Sequence, residues 1–199
     1  MTALPAPLNT TGPYRVAMVC TGNICRSAMA QVVLADRLAA AELGSDVIVT
    51  SSGISDEEHG RPIDPRALRL LRERGYGQGD DDAARAADRV MSGHRAHRIT
   101  DAEIVDHDLL LAMTDAHRRE LVRRAQLTGA DDGRVRMFRA WDPEAPAGAD
   151  GRELDVPDPW YGTMADFVDT LDVVERVCDA LVPVLAQLRL NRPASPASR

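Results

Sequence analysis

Short apolar runs alternate with helix-patterned stretches along most of this chain. "YRVAMVC" (14–20) is an apolar run that stops at a glycine-bearing connection, and "SAMAQVVLADRLAAAEL" (27–43) follows with strong helix formers and neither Pro nor Gly. This predicts strand, loop and helix. "DVIVTSSG" (46–53) predicts a second strand, and "DPRALRLLRERG" (64–75) a helix with Pro near its first turn and Gly at its end. "DLLLAM" (108–113) predicts a third strand, "TDAHRRELVRRAQL" (114–127) a helix and "RVRMFRA" (134–140) a fourth strand. The alternation predicts a single α/β domain, a four-stranded parallel sheet with helices on both faces.

In the last segment, 162–190, Phe167, Leu171, Val174, Cys178, Leu181, Leu185 and Leu188 recur by fours and threes. They make one buried stripe of a long helix, which Pro183 should kink. Cys178 lies on that stripe and reads as a small apolar core residue. "GQGDDDAARAADRVMSG" (77–93) is an acidic stretch around a short helix, expected at the surface as a neutral insertion rather than a contact for a partner. The Pro-, Ala-, Ser- and Thr-rich ends, 1–13 and 191–199, are expected to be disordered tails around a domain at 14–190.

The formal net charge of −7 disfavours nucleic acid as a partner, since no basic excess is available to neutralise phosphates. A small anion could still bind at one local positive site. All 24 basic residues are Arg and none is Lys, a compositional bias, so only position can single one out. Three cysteines do not make a disulfide framework, no leader-like segment opens the chain, and no apolar run spans a bilayer. A cytoplasmic location with no membrane partner is expected.

The chemistry concentrates in "MVCTGNICRSAMA" (18–30). In an open α/β sheet, ligands bind beyond the carboxyl ends of strands, where loops enter helix N-termini whose N–H groups lack partners. Thr21, Gly22, Asn23, Ile24 and Cys25 form such a loop after the first strand. Gly22 permits positive φ and Asn23 tolerates it, so successive N–H groups can turn inward as a nest for phosphate. Arg26 can clamp two phosphate oxygens. Cys20 begins the nest, where an electropositive setting favours a thiolate aimed at phosphorus, and Ser27 can donate a hydrogen bond to it.

Release of an ester oxygen also needs a proton donor. "DVPDPWYG" (155–162) supplies Asp158, which Pro159 biases toward extended geometry. Trp160 and Tyr161 follow and could wall a cleft for an aryl group.

With "VCTGNICRS" and "DPWYG" in this order, residues 14–190 resemble the low-molecular-weight protein tyrosine phosphatases. The resemblance implies that Cys20 is a nucleophile forming a cysteinyl-phosphate, that Arg26 binds phosphate, and that Asp158 is general acid and then general base. Ser27 and Asn23 would shape the loop. Cys25 would form a reversible disulfide with Cys20 that shelters it from irreversible oxidation. The implied partner is a phosphotyrosine-containing protein or peptide, with a tyrosine kinase as counterpart, and no metal or organic cofactor is implied. "SSG" (51–53), "GRPIDPRA" (60–67) and "HRAHRIT" (94–100) also resemble family segments, with no catalytic role carried to His94 or His97.

Ala28 stands where the family usually has proline. "SDEEH" (55–59) stands where many members place an aromatic on the cleft wall, so Glu57 and Glu58 should disfavour acidic phosphopeptides. Arsenate reduction on the same fold would need two further cysteines, and only Cys178 remains. A phosphoarginine phosphatase tends to carry a smaller polar residue at the position of Ile24. A phosphate-binding module without turnover would not need Cys20, Arg26 and Asp158 together.

Overall fold

A computed structural model describes residues 3–190. Strands β1 (Tyr14–Cys20), β2 (Val47–Gly53), β3 (Leu109–Ala112) and β4 (Val135–Met137) form an all-parallel sheet in the order β2-β1-β3-β4. Helices α1 (Arg26–Ala40), α2 (Pro65–Glu73), α3 (Asp82–Gly93), α4 (Asp101–Asp106), α5 (Asp115–Thr128) and α6 (Met164–Leu190) cover it. The pleat divides the core. Val16, Met18 and Cys20 of β1 and Leu109 and Leu111 of β3 pack with α1, α2, α3 and α6. Ala17, Val19, Leu110 and Ala112 pack with α4 and α5 on the other face. Burial on both faces is why the central strands read as unbroken apolar runs.

Local signals set the helix ends. Asp64 caps α2 ahead of Pro65, and Thr114 caps α5, which ends at Gly129 in the left-handed region (φ 73°). In α6, Phe167, Leu171, Val174, Cys178, Leu181 and Leu185 are buried, and Pro183 sits within the helix without ending it. The Cys178 thiol faces the Ala30 carbonyl in the core.

Three expectations are corrected. The stretch at 77–93 carries the expected short helix, α3, but that helix is not confined to the surface. Asp81 caps α3 through the Ala84 N–H (2.7 Å), and Ala84, Ala87 and Met91 form a buried face, with Ala87 and Met91 in the core shared with α1. Asp81 and Asp82 serve the helix N-terminus, and small apolar residues let α3 approach closely.

The N-terminal stretch, expected as a free tail over 1–13, is fastened where it is described. Leu4 packs on the core, the Tyr14 hydroxyl donates to the Pro5 carbonyl (3.1 Å), and Leu8 N–H donates to the buried Asp108 carboxylate (2.5 Å). Residues 191–199 lie outside the described residues.

The fourth strand is shorter than 134–140. It stops at Met137 because Phe138–Trp141 turns as a 3₁₀ helix that buries Phe138 and Trp141 on the α6 side.

The chain leaves β1 toward β2 on one side and later returns to β3 on the other, so the carboxyl ends of β1 and β3 flank a topological switch point. Val156 N–H donates to the Met113 carbonyl just past β3 (2.8 Å), which docks the Asp158 segment beside the loop that follows β1.

Candidate active site

Cys20 ends β1 and Arg26 begins α1, whose N-cap residue, Cys25, offers no side-chain cap and whose first turn holds no acid. The loop between them turns at Asn23, the residue with positive φ (60°). Gly22 does not adopt positive φ, contrary to expectation. Its lack of a side chain gives room instead, since a Cβ there would lie 3.0 Å from Glu58 Cγ.

Asn23 is fastened at every polar atom. Its N–H points at Cys20 Sγ (3.3 Å), its carbonyl accepts from His94 Nε2–H (2.7 Å), and its Oδ1 accepts from the His97 N–H (3.2 Å). Its Nδ2 donates to Ser27 Oγ and Ser51 Oγ, each at 2.9 Å, and Ser51 donates onward to Gln31 Oε1 (2.6 Å). Because Ser27 Oγ accepts from Asn23, its own proton is free to point at Cys20 Sγ, 3.0 Å away. The sulfur thus faces two donors. His94 is structural, buried beneath the loop, and burial holds its pKa below the ordinary histidine range.

The buried Arg26 guanidinium donates to Asp158 Oδ2 (2.6 Å), Thr21 Oγ1 (3.3 Å) and the Val156 carbonyl (3.5 Å). Thr21 Oγ1 also lies 2.9 Å from Nε2 of the buried His117. Burial, and then the Arg26 charge, lower the His117 pKa to about 3, so the ring is neutral. The Cys25 thiol is pushed well up by burial and by the Asp64 and Cys20 charges. Cys25 is therefore held as a thiol. Cys20, Cys25 and Cys178 are all free.

A cleft of about 200 Å³ opens above the loop. Its floor is Cys20, Thr21, Gly22, Ile24, Cys25 and Arg26, one wall carries Glu57 and Glu58, and the other carries Asp158, Trp160 and Tyr161. The side chain of Asp158 is 44% exposed at the mouth, and its Oδ1 accepts from the Trp160 N–H (3.2 Å). Trp160 is half-buried and Tyr161 is 94% exposed. Every residue singled out from the sequence for the site lines this cleft or lies directly beneath it. Among the described residues, no group of three or more His, Cys, Asp or Glu is arranged to hold a metal ion, and no helix is long and apolar enough to cross a membrane.

Residues 15–193 match the family model for low molecular weight phosphotyrosine protein phosphatase. The chain belongs to that family. A low molecular weight protein-tyrosine-phosphatase from Streptomyces coelicolor is 37% identical over 181 residues, covering 91% of this chain and 99% of the relative. Among solved structures, YfkJ from Bacillus subtilis superposes with a TM-score of 0.71 at 23% identity, over 93% of this chain and 100% of that one, a likeness of fold. An arginine phosphatase from Geobacillus stearothermophilus gives a TM-score of 0.68 at 26% identity, over 92% of this chain and 100% of that one.

In this low molecular weight phosphatase, several supports of the loop had escaped sequence reasoning. His117, Gln31 and the Val156 carbonyl hold Thr21, Ser51 and Arg26 across separations of 96, 20 and 130 residues. Nothing local marks them. Ser51 lay in the family-like "SSG" segment, but its bond to Asn23 had no signal.

His94, His107 and His117 are buried with pKa values below the ordinary range, in each case chiefly through burial. The unfolded chain takes up protons near pH ~6.5 that the folded chain refuses, so stability is full above that pH and falls as pH is lowered. The slope is up to about 1.4 kcal/mol per pH unit for each histidine. Urea midpoints should therefore drop between pH 7.5 and 5.0, above the range where carboxylates titrate, and His117→Gln should flatten the drop. Equal midpoints across that range would contradict the assignment of neutral buried rings.

Proposed function

We propose that the chain hydrolyses phosphotyrosine esters of proteins through a cysteinyl-phosphate on Cys20. The observation that carries this reading is the Cys20 sulfur at the floor of the cleft, facing the Ser27 hydroxyl and the Asn23 N–H, with Arg26 of the floor paired to Asp158 at the mouth. A phosphoryl group entering the cleft takes the Arg26 fork that Asp158 now shares, which leaves Asp158 beside the ester oxygen. The Cys20 thiolate attacks phosphorus, the S–P bond forms, and the bond to the phenolic oxygen breaks as Asp158 protonates it. Asp158 then takes a proton from water, whose oxygen attacks phosphorus. The S–P bond breaks, inorganic phosphate leaves, and Ser27 and Asn23 receive the returning thiolate.

Ile24 and Trp160 give the cleft apolar surfaces suited to an aryl group. That favours phosphotyrosine over the substrate named for the arginine phosphatase of G. stearothermophilus. The substrate's phosphate would come from a protein tyrosine kinase, and the cytoplasm is the proposed location. Cys25, a thiol in the same cleft, is the proposed partner of an oxidised Cys20.

Cys20→Ser should abolish release of p-nitrophenol from p-nitrophenyl phosphate, while Asp158→Ala keeps phosphate inhibition but loses about 10²-fold or more in kcat/KM for a poor leaving group such as phenyl phosphate. Full activity of either variant would remove that residue from its role. Cys25→Ser should turn over normally yet recover less activity than wild type when thiol is added after peroxide. Equal recovery would remove Cys25 from the protective role.

A further inference from the structure

The segment "GRPIDPRA" (60–67) takes no part in the chemistry above, yet it touches both halves of the cleft. Asp64 N–H donates to the Ile24 carbonyl (2.9 Å), which ties the start of α2 to the phosphate loop. The buried Asp64 carboxylate caps α2 through the Arg66 N–H (2.8 Å) and also takes Arg66 Nε (3.1 Å) and Nη2 (3.0 Å). Two-point pairing fixes the plane of the guanidinium.

From that fixed plane Arg66 reaches the opposite wall. Nη2 donates to the Trp160 carbonyl (3.2 Å) and Nη1 to the Gly162 carbonyl (3.5 Å). The guanidinium carbon lies 4.5 Å from the Phe167 ring centroid and 5.6 Å from that of Trp160. Trp160 in turn gives its N–H to Asp158 Oδ1 (3.2 Å).

Upstream of Asp158 the segment is docked by Val156 on Met113 and by Thr170 Oγ1, which donates to the Pro157 carbonyl (3.3 Å). Downstream, the carbonyls of Trp160 and Gly162 rest on Arg66. An ordinary helix-start ion pair needs neither of those contacts and contributes little at a half-exposed site.

We propose that Arg66, oriented by Asp64, is a positioning residue that straps the loop carrying Asp158 to the phosphate loop and so sets the distance between the proton donor and the ester oxygen. This rests on the reading of Asp158 as the acid. Arg66 does not line the cleft, so its loss should act on proton delivery and leave phosphate binding alone.

The test is kcat/KM across aryl phosphates, from p-nitrophenyl to phenyl, for wild type, Arg66→Met, Asp64→Asn and Asp158→Ala. Arg66→Met should lose about ten-fold more activity on phenyl phosphate than on p-nitrophenyl phosphate, while inhibition by inorganic phosphate stays within about two-fold of wild type. Asp64→Asn keeps a helix cap and weakens the pairing, so it should move the same way to a smaller extent. An equal loss on both esters, no loss, or weakened phosphate inhibition would overturn the strap. If Asp158→Ala steepens the dependence on the leaving group and the strap variants do not, the strap alone is wrong. If Asp158→Ala leaves that dependence flat, the acid assignment fails and the strap fails with it.

Discussion

Every polar atom of Asn23 makes a hydrogen bond that holds one loop. A left-handed turn at a residue with a Cβ is unfavourable, and here it is stabilised by bonds from His94 and His97 on one side and to Ser27 and Ser51 on the other. The consequence for chemistry is directional. By occupying a lone pair of Ser27, Asn23 leaves the serine proton for the Cys20 sulfur, and its own N–H points at the same atom. Without that turn the strand end and the helix start would still adjoin, but the sulfur would lack its two donors.

Around this loop the fold brings two distant segments to one cleft. The phosphate loop belongs to the β1–α1 unit, and the Asp158 segment arrives about 130 residues later, docked on the end of β3. Their separate origins mean that the distance between sulfur and carboxylate is not set by local geometry. It depends on cross-links: Arg26 to Asp158 and Val156, and Arg66 from the start of α2 to Trp160 and Gly162.

The parts of this arrangement legible in the sequence are those made by contiguous residues. The phosphate loop is one run because a nest requires successive N–H groups, and its apolar strand and helix frame it visibly. Asp158 stood out because two prolines and two aromatics surround it. The supporting residues were hidden because a lone His117 or Gln31 carries no local signature of a partner 96 or 20 residues away. Helix α3 was misjudged for a different reason: its acidic start suggested solvent, while alanines carry too weak an apolar signal to reveal a buried face. Gly22 and Asn23 both read as residues that could take the turn, and Asn23 alone takes it, held by tertiary bonds that no local pattern shows.

The proposal that phosphorus passes through Cys20 is tested most directly by trapping the intermediate. Enzyme turning over p-nitrophenyl phosphate would be quenched under denaturing conditions, digested and sequenced by mass spectrometry. The account predicts phosphate on Cys20 in the wild type and none on the corresponding peptide of Cys20→Ser. Phosphate on Cys25 or Ser27, or sustained turnover by Cys20→Ser, would contradict it.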